Sequence, residues 1–231
     1  MKYTLCKGIA VLLFLMTATL IGRAQPGKFN QFYMLSVKSK LSSQWQLTTL
    51  AQYRAYEGDI TNTRLFLVNT YLDYKLKNAP VQFGGGYMFL KIMPFNAAGE
   101  KFSLPEHRVF QQVSIAHKLS EHFNLSQRFR FEERFLFSDR FIIRARHMLT
   151  ATYKLGDAES SKWSLIAKEE IRMNLKKEEA FDSFRLWGGV GYKISPSLEI
   201  EPYWMTQFET LGASHFAVLS VRKSFDFSKK Q

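Results

Sequence analysis

Residues 123–135 read FNLSQRFRFEERF. Their even positions are Asn124, Ser126, Arg128, Arg130, Glu132 and Arg134; their odd positions are Phe123, Leu125, Gln127, Phe129, Phe131, Glu133 and Phe135. After a break at Ser138-Asp139 the alternation resumes. Phe141, Ile143, Ala145, His147, Leu149, Ala151 and Tyr153 fall on one side, and Arg140, Ile142, Arg144, Arg146, Met148, Thr150 and Thr152 on the other. A period of two marks a β-strand, because successive side chains leave opposite faces of the backbone. The two strands predict a hairpin with one greasy face and one ionic face, the ionic one crowded with arginine.

The rest of the chain repeats this design in segments of roughly ten residues, the span that a tilted membrane strand needs. Outward apolar rows are legible at Phe29–Val37, Trp45–Tyr56, Phe66–Tyr74, Val81–Phe89, Arg108–Lys118, Trp163–Asn174, Phe184–Tyr192, Leu198–Phe208 and from Gly212 to Phe227. Short connections near 38–44, 75–80, 118–122, 156–162 and 193–197 alternate with longer or more charged ones at 57–63, 94–105, 135–139, 175–183 and 209–213. Short turns on one side and longer loops on the other are the outer-membrane arrangement. The fold class expected is therefore all-β, an antiparallel transmembrane β-barrel. The segments number eleven, whereas bacterial barrels have even counts, so ten or twelve strands are expected. Glu169 falls on the apolar row of its segment; a carboxylate facing mid-bilayer lipid is costly, which predicts a bulge near Glu169-Glu170 or a place close to the interface. Gly84-Gly85-Gly86 lacks the Lys-Ser/Thr and helix pattern of a phosphate loop and reads as a bend or a close backbone approach.

Composition agrees. Hydrophobic residues make up 46% of 231 and aromatic residues 15%, with 21 Phe, 10 Tyr and 4 Trp; the mean hydropathy is −0.20. Such values exclude several helical spans but not a barrel, in which only alternate residues meet lipid. Lys2 and Lys7 precede the apolar run Ile9–Ile21, and Gly22-Arg23-Ala24 supplies small residues, so residues 1–24 read as a secretory signal peptide and 25–231 as the barrel domain. Cys6, the only cysteine, lies within that signal, which removes disulfides, thiolate catalysis and zinc–thiolate sites from the mature chain. The net charge of +12 would ordinarily point to nucleic acid, but export argues against that partner.

If the apolar rows face lipid, the lumen receives Arg108, Arg128, Arg130, Arg134, Arg140, Arg144, Arg146, Lys168, Arg172 and Arg185, against Asp73, Glu132, Glu170, Glu199 and Glu201. One reading is a structural ion network filling a narrow barrel, since the planar arginine fork holds carboxylates bidentately. The other is a constriction that attracts anions. The first is favoured, because a barrel of this size is only modestly wider than the eight-stranded kind that side chains fill. Catalysis finds no support. Of His107, His117, His122, His147 and His215, only the last adjoins a serine, and Ser214 and His215 point to opposite faces of a strand. No metal-ligand spacing or cofactor motif is present.

The stretch LSQRFRFEERF…RFIIRARHML within 125–149 resembles the central block of the family of proteins of unknown function DUF2490. So do Glu106-His107-Arg108 with Gln111-Gln112, FDSFRLWGGVGYKI at 181–194 and LEIEPYWMTQF at 198–208. The resemblance implies an outer-membrane barrel of a Gram-negative cell and implies no activity. Two features depart from outer-membrane habit: Ser228-Lys229-Lys230-Gln231 follows Phe227, and Lys223 interrupts the last apolar row. The expectation is a monomeric, porin-like outer-membrane protein surrounded by lipid and lipopolysaccharide, without cofactor. Its role is structural or the passage of a small anionic solute. A soluble periplasmic barrel binding an anionic or lipid ligand is the alternative, and a lipid-modifying outer-membrane enzyme the third. Guanidiniums outside and phenyl rings within would overturn the membrane reading.

Overall fold

Every described segment with a period of two becomes a strand. The computed structural model describes residues 29–137, 140–176, 178 and 180–228; the signal peptide expected at 1–24, the Ser138-Asp139 break and Lys229-Lys230-Gln231 lie outside them. The strands are β1 (Asn30–Lys40), β2 (Trp45–Ala55), β3 (Thr63–Lys75), β4 (Val81–Ile92), β5 (Leu104–Lys118) and β6 (Phe123–Leu136). They continue with β7 (Phe141–Lys154), β8 (Trp163–Asn174), β9 (Phe181–Ser195), β10 (Leu198–Glu209) and β11 (Gly212–Asp226). Each pairs antiparallel with its sequence neighbour, and β1 closes on β11 to make a barrel.

The strand count corrects the expectation of an even number. Eleven strands close the sheet, and closure of an odd number of up-and-down strands forces the first and last to run the same way. Accordingly β1 and β11 pair in parallel, from Asn30↔Phe216 to Lys40↔Asp226. Asn30 lies at the long-loop end of the barrel and Asp226 at the short-turn end, so the two ends of the sheet do not share a rim.

The face assignment holds. Phe66, Phe83, Phe129, Phe131, Phe135, Phe141, Trp163, Leu165, Trp204 and Leu219 are exposed on the outer wall, while Arg108, Arg130, Arg134, Arg144 and Arg185 are buried within. Strands of 11 to 15 residues, rising about 3.3 Å per residue at a tilt near 40°, are long enough to cover an apolar band of roughly 25 Å. The lumen is less uniformly ionic than the alternation implied. Phe32, Ile166, Trp187, Tyr203, Met205, Phe216 and Val218 form one buried apolar cluster inside it. Leu67, Met88, Leu90 and Phe110 form a second.

Two local expectations fail. β8 keeps unbroken register with β7 and β9 through Glu169 and Glu170, and its one irregularity lies between Arg172 and Met173. Glu169 therefore stays on the outer face midway along β8, opposite Leu149 and Leu186, because Lys168, Glu170 and Arg172 must all turn inward. Arg140 is exposed in the connection ahead of β7 rather than in the lumen, since the strand begins only at Phe141.

The glycine run lies within β4, without a loop. A Cβ at Gly84 would collide with the Asp73 carboxylate, and one at Gly86 with Thr70 and Tyr71, so the run permits close approach. Gly189 is similar: a Cβ there would strike the Pro202 carbonyl oxygen and the Tyr203 ring, whereas nothing lies near one added at Gly188. Gly189→Ala should destabilise the barrel by about 1–3 kcal/mol through overpacking. Gly188→Ala should stay within about 0.5 kcal/mol. Urea titration of the heat-modifiable band in detergent gels checks both.

Candidate functional site

Because β6, β7 and β8 are consecutive, their inward rows lie side by side. The register sets Arg130 opposite Arg146, Glu132 opposite Arg144, Arg146 opposite Arg172 and Met148 opposite Glu170. Like charges directly opposite repel, so carboxylates have to reach between them. Glu132 and Glu170 do so, and both are fully buried.

Arg146 is the bridge. One of its terminal nitrogens donates to Glu132 Oε1 and the other to Glu170 Oε1 at 2.5 Å. Glu132 also accepts from Arg108 at 3.1 Å, with Arg130 and Arg144 each 3.9 Å away. Glu170 further receives Arg185 at 3.1 Å and Arg128 at 3.5 Å. Around this centre the pairs extend to both rims. Arg134 grips Glu106 with two nitrogens, at 2.5 and 3.1 Å, and Arg108 donates to the same carboxylate at 2.7 Å. Asp182 joins Arg144 at 2.6 Å and Arg172 at 3.1 Å. Arg130 binds Gln112 Oε1, and Gln112 in turn donates to Asp73 at 2.8 Å.

Towards the short-turn end, Lys168 meets the Tyr203 hydroxyl at 2.7 Å, and Tyr203 donates to Glu201 at 2.5 Å. Arg222 donates to Glu201 and lies 3.5 Å from Glu199. Cations are also seated on rings: Arg54 lies 4.0 Å over Phe32, Arg130 4.0 Å over Phe110, and Lys168 4.1 Å over Tyr203. A guanidinium on an aromatic face is attracted by the ring quadrupole, more so when desolvated.

All thirteen residues expected as a lumen network, Arg108, Arg128, Arg130, Glu132, Arg134, Arg144, Arg146, Lys168, Glu170, Arg172, Arg185, Glu199 and Glu201, thus carry ion pairs or hydrogen bonds inside the barrel. Sequence reasoning omitted Glu106, Asp182, Arg222 and Arg54 from the network. Glu106 shares the parity of Arg108 on β5, and Arg54 and Arg222 fall on the inward rows of β2 and β11, so alternation could have found them. Asp182 could not be found that way, because it reads as part of a charged loop.

The histidines stand apart. His107 pairs with the Tyr87 hydroxyl, His147 packs its ring 4.6 Å from Phe129, and His215 lies 3.1 Å from Thr206 Oγ1. Among the described residues no group of three His, Cys, Asp or Glu side chains is placed to hold a metal ion.

A family model described as a protein of unknown function, DUF2490, matches residues 29–216. No curated protein matches the sequence. Solved structures with a similar fold include the outer-membrane protein OmpT of Vibrio cholerae, 16% identical over 71% of this chain and 53% of that one, with a TM-score of 0.44. A NanC porin is 11% identical over 87% and 90%, with a TM-score of 0.49. An anion-selective porin from Comamonas acidovorans is 11% identical over 77% and 52%, with a TM-score of 0.37. The chain spans about half the length of the Vibrio and Comamonas proteins.

Removing one partner from a buried ionic cluster leaves the others uncompensated. Glu132→Gln should therefore cost about 3–5 kcal/mol in urea unfolding. Arg128→Gln removes a longer contact at a partly exposed side chain and should cost roughly 1 kcal/mol or less.

Proposed function

The chain belongs to the DUF2490 family of proteins of unknown function, and from that premise we propose that its barrel spans the outer membrane of a Gram-negative cell as a sealed, monomeric structural element. The carrying observation is the pairing of an aromatic outer wall with a lumen blocked by Glu132, Glu170, Phe32, Phe110, Met205 and Phe216, each no more than 2% exposed. An apolar surface encircling a protein is stable in lipid and a liability in water, which supports this reading over a soluble periplasmic carrier. Lipid and lipopolysaccharide are then its surroundings, and the short turns face the periplasm. Nucleic acid is not a partner, because the guanidiniums are turned inward, away from any duplex. The proposed role is non-catalytic: Ser214 and His215 leave opposite faces of β11, and the ionic groups of the lumen are spent on one another.

A second reading, passage of small anions, is favoured by one observation. Cations outnumber carboxylates in the network, so that Glu132 and Glu170 each serve several arginines. Planar-bilayer recording separates the two. The intact protein should insert without conductance steps, and Glu132→Ala combined with Arg146→Ala, which removes the central bridge, should admit ions. A steady anion-selective current through the unaltered protein would overturn the sealed form and establish the second reading. Fractionation should find the chain with the outer membrane; release by osmotic shock would restore the soluble alternative.

A further inference from the structure

The buried arginines of the barrel are Arg54, Arg108, Arg130, Arg134, Arg144 and Arg185. All but one have a carboxylate within 3.9 Å. Arg54 is the exception among the described residues. It is 9% exposed, donates from Nη2 to Gln52 Oε1 at 3.2 Å, and its Nε–H finds no acceptor. The Phe32 ring beneath it offsets only part of the cost of drawing a guanidinium out of water.

Two further cations join it at the long-loop rim. The β2·β3 register shifts beside Arg54: Arg54 faces Leu65 and Ala55 faces Thr63, so Arg64 is left out of the pairing between them. Arg64 has the parity of the outward Phe66, yet its guanidinium lies 5.3 Å from the ring of Phe216, a lumen residue. Phe216 is thereby shared with Arg54, at 5.8 Å. Tyr56 is shared in the same way between Arg64 at 5.1 Å and Lys101 at 5.6 Å. Lys101 comes from the β4–β5 connection and donates to the Thr63 carbonyl oxygen at 2.8 Å. Among the described residues no carboxylate stands within ion-pairing distance of these three cations. Asp182 and Glu170 are held by Arg144, Arg172, Arg146 and Arg185. Cations and rings therefore alternate here with no counter-charge, and Arg64 and Lys101 are partly exposed to the mouth.

We propose that this rim binds one small oxyanion, a carboxylate or phosphate group, between Arg54 and Arg64. A guanidinium fork takes such a group through parallel N–H bonds, and a ring behind the fork holds it in place without neutralising it. The bound oxygen supplies the acceptor that the Arg54 Nε–H lacks. Entry is from the long-loop end, so the inference goes beyond the sealed-barrel reading and does not require the lumen to conduct.

Isothermal titration calorimetry of the full barrel in dodecyl maltoside tests it. Sodium phosphate and sodium acetate form separate arms, with ionic strength held constant by sodium chloride. One equivalent should bind, and the arm with the tighter binding identifies the group. Arg54→Gln and Arg64→Gln should each weaken that binding about tenfold. Lys193→Gln, which removes a cation at the opposite end of the barrel, should leave it unchanged. Heat-modifiable migration reports that each variant is folded; if Arg54→Gln loses it, the partly exposed Arg64 carries the test. Binding of neither anion, affinity unmoved by the arginine substitutions, or an equal loss in Lys193→Gln overturns the proposal. A barrel that binds no anion and passes no current loses the rim site and keeps the sealed reading. One that binds and conducts keeps the site and loses the sealed reading.

Discussion

Arg146 touches two carboxylates on the strands to either side of its own, and the rest of the lumen is arranged around that bridge. The cause is topological. Once the outer face of every strand is apolar, the charged residues of the alternating rows have nowhere to go but inward. In a closed sheet those rows converge. Strands β5 to β8 bring Arg108 opposite Arg134, Arg130 opposite Arg146 and Arg146 opposite Arg172. Such oppositions are tolerable only with negative charge laid between them. Glu106, Glu132, Glu170 and Asp182 provide it, each holding two or more guanidiniums. Where no carboxylate reaches, a ring face serves, as Phe32 does for Arg54.

Much of this was legible in the alternation. The period of two places Phe129 and Phe131 outside and Arg130 and Glu132 inside, and it needs no knowledge of the partner strand. What it does not carry is anything that depends on how the strands finally close. The parity of the strand count is such a property. So is the fate of Phe32, Phe110 and Phe216, whose parity marked them as inward but whose chemistry marked them as outward. They belong to the lumen because the space between the arginines and the wall has to be filled, and an aromatic face is compatible with a guanidinium. Glu169 errs in the opposite direction. A bulge would have rescued its carboxylate from the outer face, but would also have turned Glu170 or Lys168 away from the network.

The odd closure has its own consequence. Parallel pairing is slightly weaker per residue than antiparallel, yet the β1·β11 ladder runs through all eleven residues of β1 without a shift. Its outward rows are also in step, with Leu35 beside Val221 and Val37 beside Lys223. The seam is thus continuous with the rest of the wall in hydrogen bonding, and Lys223 is the one cation on its outward rows among the described residues. On the lumen side the same two strands contribute Phe32, Phe216 and Val218 to the apolar plug, so the closure is packed from within.

Why the interior should be ionic at all is a question of register as much as stability. A buried ion pair returns little net free energy over a well-packed apolar replacement, because desolvation offsets most of the attraction. Its value here lies in what it forbids. An apolar lumen inside an apolar wall would give each strand two interchangeable faces, and a slip of one residue would cost little. In β6 such a slip would carry Arg128, Arg130, Glu132 and Arg134 into lipid. At about 2–4 kcal/mol for each arginine near the bilayer midplane, the three arginines together disfavour the slipped state by roughly 6–12 kcal/mol. The same arithmetic explains why Glu169 is tolerated. One carboxylate left on the wall costs less than the several charges that any rearrangement of β8 would displace, so the strand keeps its register and its single misplaced acid.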